Sequence, residues 1–397
     1  MDLQSKIKSL SKQFHSEICD IRRHLHAHPE LSFKEFETSA FIIAQLDKST
    51  ISYRKGIAGT GIIAEIKGKN PESACVALRA DMDALPIEEK NNVPYRSVNK
   101  GVMHACGHDV HTSCLLGVAK IVTQITHEFS GTFRLIFQPG EERLPGGASL
   151  MIKEGALSNP KPSSILGQHV MPLIPVGKVG FRKGIYMAST DEIYMTIKGK
   201  GGHGAMPQLT IDPVSVTAQI IVSLQQIISR VNDPRIPSVL TFGKVIAEGS
   251  TNIIPDSVYV EGTFRTLNEA WREKAHKKIR EIAEGIAKSF GAECELRIEK
   301  GYPMLFNDEK LTDRARKKAE EYIGKENVTD LDVWMAAEDF AYYSHQIPAC
   351  FYRLGTGNPA KGINSLVHTP TFDVDEDALE IGMGLMAWLS LAELQAE

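Results

Sequence analysis

No CxxC pair, no long run of apolar residues and no block of like charge occurs in this 397-residue sequence. The six cysteines, Cys19, Cys75, Cys106, Cys114, Cys294 and Cys350, are scattered, which excludes a zinc ribbon and argues against a disulfide framework. No stretch reads as the roughly 18 consecutive apolar residues of a membrane span. The charge-interrupted start MDLQSKIKSLSKQFHSEICDIRRHL lacks the apolar core of a signal peptide. A net charge of -4, with both signs mixed throughout, offers no basic patch for nucleic acid or an anionic membrane surface. Internal repeats and low-complexity linkers are absent as well. These absences predict a globular protein of the cytoplasm that acts on a small molecule or another protein, with neither nucleic acid nor membrane as partner.

What is present is alternation. A chain of 397 residues exceeds what one core usually supports, so two or three domains are expected. Residues 3–27 carry apolar positions at helical spacing, up to Pro29. TGIIAEI (60–66) and ACVALRA (74–80) read as strands, the second apolar throughout, as a strand buried on both faces is. A helix over 110–125, a strand over 131–137, a helix over 147–154 and a strand over 163–170 follow. Strands alternating with helices imply βαβ units and a mostly parallel sheet. After FRKGIYM (181–187) the pattern changes. DEIYMTIKGK, SVLTFGKVIA and SVYVEGTFRT alternate by twos around a long apolar helix at 212–230, as in an antiparallel α+β unit. A helix over 268–289 and a strand over 293–298 complete it, and helices at 309–324 and 374–394 return to the first pattern. The expected protein is α/β, with a discontinuous catalytic domain of residues 1–185 and 299–397 interrupted by a lid at 186–298.

Four segments bring ligand or acid–base side chains to strand ends, where open α/β sheets form their sites: LRADMDALP, MHACGHDVHTS, FQPGEE and LGQHV. FQPGEE runs a strand into Pro139 and Gly140 and then into adjacent carboxylates, Glu141 and Glu142, whose side chains diverge. One can hold a metal while the other stays free as a base, as metal-assisted hydrolysis requires. In isolation, a solvated acidic loop would look the same. Cys106 and His108 stand two apart in a glycine-containing turn before a helix and can aim a thiolate and an imidazole at one ion. His108 could equally serve as base to a nucleophilic Cys106 at a helix N-terminus. His169 closes a further strand, and His368 lies in LVHTPTFDVDED. Cys106, His108, Glu142, His169 and His368 make a mixed sulfur, nitrogen and oxygen set, enough for two ions sharing a bridging group. RRHLHAHPE offers three histidines, but on a helix His24 and His28 share a face that His26 does not, which favours a structural role.

RRHLHAHPELS, LRADMDALP, MHACGHDVHT, FQPGEE, GGHGAMP, TNIIPD, AEDFAYY and HTPTFD occur in the order found in the M20 metallopeptidase family. Over nearly its whole length the chain resembles the amidohydrolase subfamily, which includes N-acyl-amino-acid hydrolases, hippurate hydrolases, auxin-conjugate hydrolases and N-acetyl-diaminopimelate deacetylases. The resemblance implies a zinc-aminopeptidase-like fold, with a mixed, mostly parallel sheet flanked by helices and an inserted α+β lid that mediates dimerisation. It implies two divalent metal ions bridged by Cys106, with His108 and His169 on one and Glu142 and His368 on the other. Zn²⁺ or Mn²⁺ suits these donors, and Co²⁺ and Ni²⁺ are compatible. Glu141 corresponds to the general base and Asp83 to an aspartate that orients a ligand from behind. Asp81 stands where other branches have a histidine ligand and has no assigned role.

In the lid, the resemblance implies that His203 of GGHGAMP reaches the active site of the partner subunit to stabilise the oxyanion. Asn252 and Arg265 match residues that bind the substrate's carboxylate, a task suited to the planar fork of arginine. Glu338 and Asp339 in AEDFAYY either line the pocket or cap a helix. Gln208 replaces a histidine that many relatives carry after the lid proline, which bears on substrate preference. The function implied is metal-dependent hydrolysis of N-acyl-L-amino acids or related amides by a homodimer. A cysteine-nucleophile amidase using Cys106 and His108, and a non-catalytic metal- or ligand-binding homologue, are the alternatives.

Overall fold

The structure is a computed structural model and describes residues 2–395. Along the chain, the strands of its two main sheets are β1 (Ser52–Ile57), β2 (Gly61–Lys67), β3 (Cys75–Asp81), β4 (Thr132–Gln138), β5 (Ser164–Pro175), β6 (Val179–Phe181), β7 (Asp191–Lys198), β8 (Ser238–Ile246), β9 (Ser257–Thr266), β10 (Glu293–Lys300), β11 (Val328–Asp330) and β12 (Ala349–Gly357). The longer helices are α1 (Leu3–Ala27), α2 (Phe36–Lys48), α3 (His108–Thr123), α4 (Pro213–Gln226), α5 (Glu269–Ser289), α6 (Glu309–Ile323) and α7 (Asp377–Leu394). They form two compact units. One takes the chain up to Ile185, Phe306–Val333 and everything from Asp339 on; the other takes Tyr186–Leu305 and Trp334–Glu338.

The first unit is built on an eight-stranded sheet in the order β1-β2-β4-β3-β5-β12-β6-β11. Its centre is parallel, since β3 runs with β4 and β5, and β12 runs with β5. β1 with β2, β2 with β4, and β6 with β12 are antiparallel. This is the mostly parallel sheet that the alternation predicts, and the mixed sheet flanked by helices that the family resemblance implies. CVALRAD of β3 and TFRLIFQ of β4 are buried at every position, as continuous apolar runs covered on both faces should be. α1, α3 and α7 pack on one another, and α3 and α7 also lie against β3.

Five of the labelled elements of this unit have no counterpart among the sequence expectations: α2, β1, β6, β11 and β12. The sequence of β12, ACFYRLGTG, is buried throughout, yet Arg353, Gly355 and Gly357 break its apolar run. The glycines are there because β5 comes too close for a side chain. A Cβ at Gly355 would lie 2.2 Å from the Pro175 carbonyl oxygen, and one at Gly357 would lie 2.0 Å from that of Pro172.

The second unit has a four-stranded antiparallel sheet in the order β8-β9-β7-β10. Ile193, Met195 and Ile197 of β7 and Val258, Val260 and Phe264 of β9 meet Val216, Ile220 and Leu224 of α4 and Ala275, Ile279 and Ala283 of α5 in its core. One sequence expectation needs correction here. Pro213–Val231, α4 and the turn after it, is long and apolar enough to cross a membrane by length and composition, and only 28 % of it is buried. Ser, Thr and Gln, with Arg230 near its end, interrupt this run, so it does not look apolar residue by residue. Its inner face covers the sheet, whereas Val222 is exposed.

In RRHLHAHPE the histidines serve the fold. His24 stacks on Phe41 with ring centroids 4.0 Å apart, and His28 Nδ1 donates to the His24 carbonyl at 2.8 Å. His26 is fully buried between Asp109 (Nδ1 to Oδ2, 2.8 Å) and Glu89 (Nε2 to Oε1, 3.2 Å). Arg22, one turn earlier, reaches the same Asp109 oxygen at 2.8 Å and Asp373 at 2.8 Å. This network ties α1 to the first turn of α3. Burial and Arg22 oppose a charge on His26, but Asp109 and Glu89 outweigh them and hold its pKa above the ordinary value. Folding therefore retains a proton that the unfolded chain releases near about pH 6.5. The resulting stabilisation is complete below that pH and is lost as pH rises through the folded pKa. His26→Gln is accordingly expected to lower Tm most near about pH 6 and progressively less toward about pH 9. Thermal unfolding across that range checks this, and a Tm difference independent of pH would refute it.

Candidate metal centre and active site

The site in the first unit begins where the parallel strands end. β3 stops at Asp81, and Asp83 follows; β4 stops at Gln138 and turns through Pro139 and Gly140 into Glu141 and Glu142. β5, on the other side of β3, carries His169. α3 starts at His108, with Cys106 in the turn before it. His368 comes from a distant loop, held in a left-handed conformation (φ 63°) by its N–H donating to the Ala105 carbonyl at 2.7 Å.

The five ligand candidates named from the sequence come together around the thiol. Cys106 Sγ lies 3.5 Å from His169 Nε2 and 3.3 Å from His368 Nε2. Glu142 Oε1 is 3.1 Å from His368 Nε2 and 3.9 Å from His108 Nε2. Cys106, His108 and His169 each offer one donor atom within 4.8 Å of the others, and so do Cys106, Glu142 and His368. Cys106 is the corner common to both groups.

The two inner histidines are oriented from behind. His108 Nδ1 donates to the Asp83 carbonyl at 2.9 Å and lies 3.2 Å from its carboxylate, and His169 Nδ1 donates to the Val170 carbonyl at 2.8 Å. Both rings therefore present Nε2 to the centre. His108 Nε2 and Glu142 Oε1 are buried and make no hydrogen bond, a costly condition unless a ligand occupies them.

The electrostatics point the same way. Burial opposes a proton on His108, but Asp81, Asp83 and Glu142 outweigh it and raise the pKa to about 10. Burial, followed by Glu142, Glu141 and Asp81, pushes the Cys106 thiol well above its ordinary range. An activated thiol nucleophile needs the reverse. A sulfur, nitrogen and oxygen donor set, unpartnered buried donor atoms and an excess of carboxylates fit a pair of divalent cations.

Glu141 is buried beside His108 and Glu142, and its Oε1 accepts from the Asp339 N–H at 3.3 Å. Asp339 is itself buried and anchored, accepting from Arg79 Nη2 at 2.6 Å, Gln138 Nε2 at 2.8 Å and the Ala148 N–H at 2.9 Å. Asp83 also receives the Ser32 hydroxyl at 2.6 Å and the Glu142 N–H at 3.0 Å on its second oxygen.

Asp81 is not a spare carboxylate. It is paired with Arg79 and accepts from His111 Nδ1 at 2.6 Å, while His111 Nε2 accepts the Val170 N–H at 2.9 Å. Both His111 nitrogens are thus committed, so it supports the centre without a lone pair to offer. His104 is buried with neither nitrogen hydrogen-bonded, and burial lowers its pKa to about 4, keeping it neutral. Ser32 and Glu35 escaped the sequence reading, although both sit just after the RRHLHAHPE motif.

The remaining candidates, His203, Asn252, Arg265 and Glu338, lie in the second unit. His203 and Asn252 are brought together by a short ribbon, in which His203 pairs with Ile253 and the Gly204 N–H donates to the Asn252 carbonyl at 2.8 Å. His203 is exposed. Arg265 lies on β9, opposite Val239, and donates to the Met335 carbonyl at 3.2 Å. Glu338 is buried.

Residues 77–391 match peptidase family M20/M25/M40. The chain is 40 % identical over 373 residues to the N-acetyl-L-cysteine deacetylase of Bacillus subtilis (strain 168), covering 94 % of this chain and 86 % of that protein. It is 37 % identical over 404 residues to IAA-amino acid hydrolase ILR1-like 4 of Arabidopsis thaliana, with 99 % and 90 % covered. Among solved structures, it is similar to the Bacillus subtilis YXEP protein, a dinuclear metal binding peptidase from the M20 family, with a TM-score of 0.83, 36 % identity and 97 % and 99 % of the two chains covered. With four-fifths of its length inside the family match and this similarity carried end to end, the chain belongs to peptidase family M20/M25/M40.

Proposed function

We propose that this chain is a dinuclear metal-dependent amidohydrolase that cleaves N-acyl-L-amino acids, or related peptide-like amides, to a carboxylic acid and a free amino acid. The observation that carries this reading is Cys106 at the common corner of two donor triads, with the Glu141 carboxylate next to them and outside both. Cys106, His108 and His169 would hold one ion, and Cys106, Glu142 and His368 the other. Zn²⁺ or Mn²⁺ fits these donors, as do Co²⁺ and Ni²⁺. Bound there, the ions would lower the pKa of a water and polarise the amide carbonyl. Glu141 takes a proton from the water as its oxygen adds to the carbonyl carbon, and gives a proton to the nitrogen as the C–N bond breaks. Asp83 keeps His108 Nε2 facing the centre, and the Asp339 N–H steadies Glu141.

In this reading the first unit is the catalytic domain and the second the lid. Burial lowers the pKa of Arg265, and among the described residues it has no acidic partner. A half-buried guanidinium of this kind suits the α-carboxylate of the substrate, with Asn252 and Glu338 as further contacts. N-acetyl-L-cysteine, the substrate in one relative's name, is itself an N-acyl amino acid. The six cysteines are all free, which fits a reducing compartment such as the cytoplasm.

The same reading makes the protein a homodimer through the lid. β8 is an edge strand that leaves Val239, Val245 and Ile246 exposed, and α4 exposes Val214 and Val222. His203 would then act in the active site of the partner subunit, stabilising the oxyanion.

Chelation is expected to abolish hydrolysis of N-acetyl and N-benzoyl amino acids, and Zn²⁺ or Mn²⁺ to restore it. Glu141→Gln should lower kcat by about 10²–10⁴-fold with the metal retained. Full activity in either preparation would overturn the mechanism, and an acyl-enzyme trapped on Cys106 would favour the thiol nucleophile instead. Mixing His203→Ala with Glu141→Gln subunits should restore part of the activity, because one site in each hybrid dimer is then complete. No recovery despite subunit exchange shown by mass spectrometry would mean that His203 serves its own chain or has no part in catalysis.

A further inference from the structure

The segment PELSFKE, residues 29–35, has no part in the mechanism above, yet it touches both carboxylate loops of the site. It leaves α1 and turns back on itself, with the Lys34 N–H donating to the Leu31 carbonyl at 2.9 Å and Phe33, the third residue of the turn, at φ 64°. A type II turn ordinarily places glycine there. The Phe33 ring lies on Gly140, where an added Cβ would come within 2.4 Å of the ring atoms. Gly140 has φ 61° and sits directly before Glu141.

Glu35 precedes α2, but its side chain does not cap that helix. Its Oε1 accepts the Phe33 N–H at 2.8 Å and the Gly140 N–H at 2.9 Å, and its Oε2 accepts the Thr60 hydroxyl at 2.7 Å. The side chain is wholly buried, and no cation pairs with it among the described residues. On the other side of the turn, Ser32 holds the Asp83 oxygen that also accepts the Glu142 N–H, and the Ala84 N–H donates to the Glu30 carbonyl at 2.8 Å. Pro139 has no N–H, so the Gly140 N–H is the nearest backbone donor by which the chain before Glu141 can be held. Gly140 is also the residue with most freedom to swing if that bond is absent.

We propose that Glu35 is a positioning residue for Glu141, holding the Pro139–Gly140 turn against the Phe33 turn so that the base is presented at a fixed distance from the donor atoms. The role lies in the two N–H bonds to one oxygen rather than in the charge. It rests on the assignment of Glu141 as general base. Displacing a catalytic group by about 1 Å is enough to cost about 10²-fold in rate.

Three variants separate bonds from charge. Glu35→Gln keeps an oxygen for both N–H groups, with its amide facing Thr60. Glu35→Asp keeps the charge but is one methylene too short, and Glu35→Ala removes both. The expected result is Glu35→Gln within about threefold of the parent kcat, and Glu35→Asp and Glu35→Ala down by about 10²-fold, with KM and bound metal within about twofold. Amide hydrogen exchange over residues 138–142, read without substrate, should accelerate in the Asp and Ala variants only.

Should Glu35→Ala fail to fold, the Gln and Asp variants decide the matter. Parent exchange and kcat in a folded, metal-loaded Glu35→Asp variant would overturn the proposal. So would an active Asp variant beside an inactive Gln variant. Faster exchange in Glu35→Asp together with full activity in Glu141→Gln would instead reject the base assignment and leave the tether in place.

Discussion

A crowd of buried carboxylates gathered at the ends of two parallel strands, β3 and β4, is the constraint around which the first unit is arranged. Asp81, Asp83, Glu141 and Asp339 are all buried there, and Glu142 nearly so. Burying one carboxylate without compensation costs several kcal/mol, and burying several side by side adds mutual repulsion. The chain meets this cost in two ways. Arg79 reaches both Asp81 and Asp339, and backbone N–H groups of Glu142 and Ala148 are spent on Asp83 and Asp339. Around Cys106, by contrast, sulfur, nitrogen and oxygen donor atoms of Cys106, His108, Glu142, His169 and His368 converge, a set whose chemistry fits a pair of divalent ions.

The same economy explains why the inner histidines have fixed tautomers. A neutral imidazole can offer a lone pair at one nitrogen only if the other holds the proton. Asp83 and the Val170 carbonyl take those protons from His108 and His169. His111 lies 4.6 Å from the His169 ring and 5.4 Å from that of His108, yet Asp81 and the Val170 N–H occupy both its nitrogens. One histidine packed among the donors is thereby kept from competing with them. The difference between His108 and His111, three residues apart on one helix, is made by hydrogen-bond partners from β3, the loop after it and β5.

How much of this is legible in the sequence follows from the distance over which each signal acts. β3 and β4 are legible because burial on both faces writes itself as an unbroken apolar run. β12 is equally buried, but its glycines answer to Pro172 and Pro175 of a strand far away in sequence, so locally they resemble a loop. The five donor residues are legible as types and the family resemblance marks Cys106 as shared, while the geometry of that sharing comes from β4, β3 and β5 standing in that order. The partners behind them were less accessible. His111 answers to Asp81 across 30 residues, and Glu35 answers to Gly140 across 105. Asp81 stands in a segment that the sequence marks as part of a site, but nothing near it names its partner, and nothing near Glu35 marks it at all, because a local motif shows only where a side chain starts.

The ion pairs that tie α1 to α3 bear on the site through stability rather than chemistry. Arg22 and Asp109 are fully buried, and such a pair, once desolvated, contributes little net stability relative to an apolar contact. Removing one partner, however, strands the other charge at a cost of about 3–5 kcal/mol. A contact that is cheap to replace and costly to break acts mainly to exclude alternatives. Asp109 is the residue after His108, so any arrangement of the turn carrying Cys106 and His108 that pulled Asp109 from Arg22 and His26 would incur that penalty. The donor turn is therefore held by the energetics of the helical layer behind it as well as by whatever binds in front.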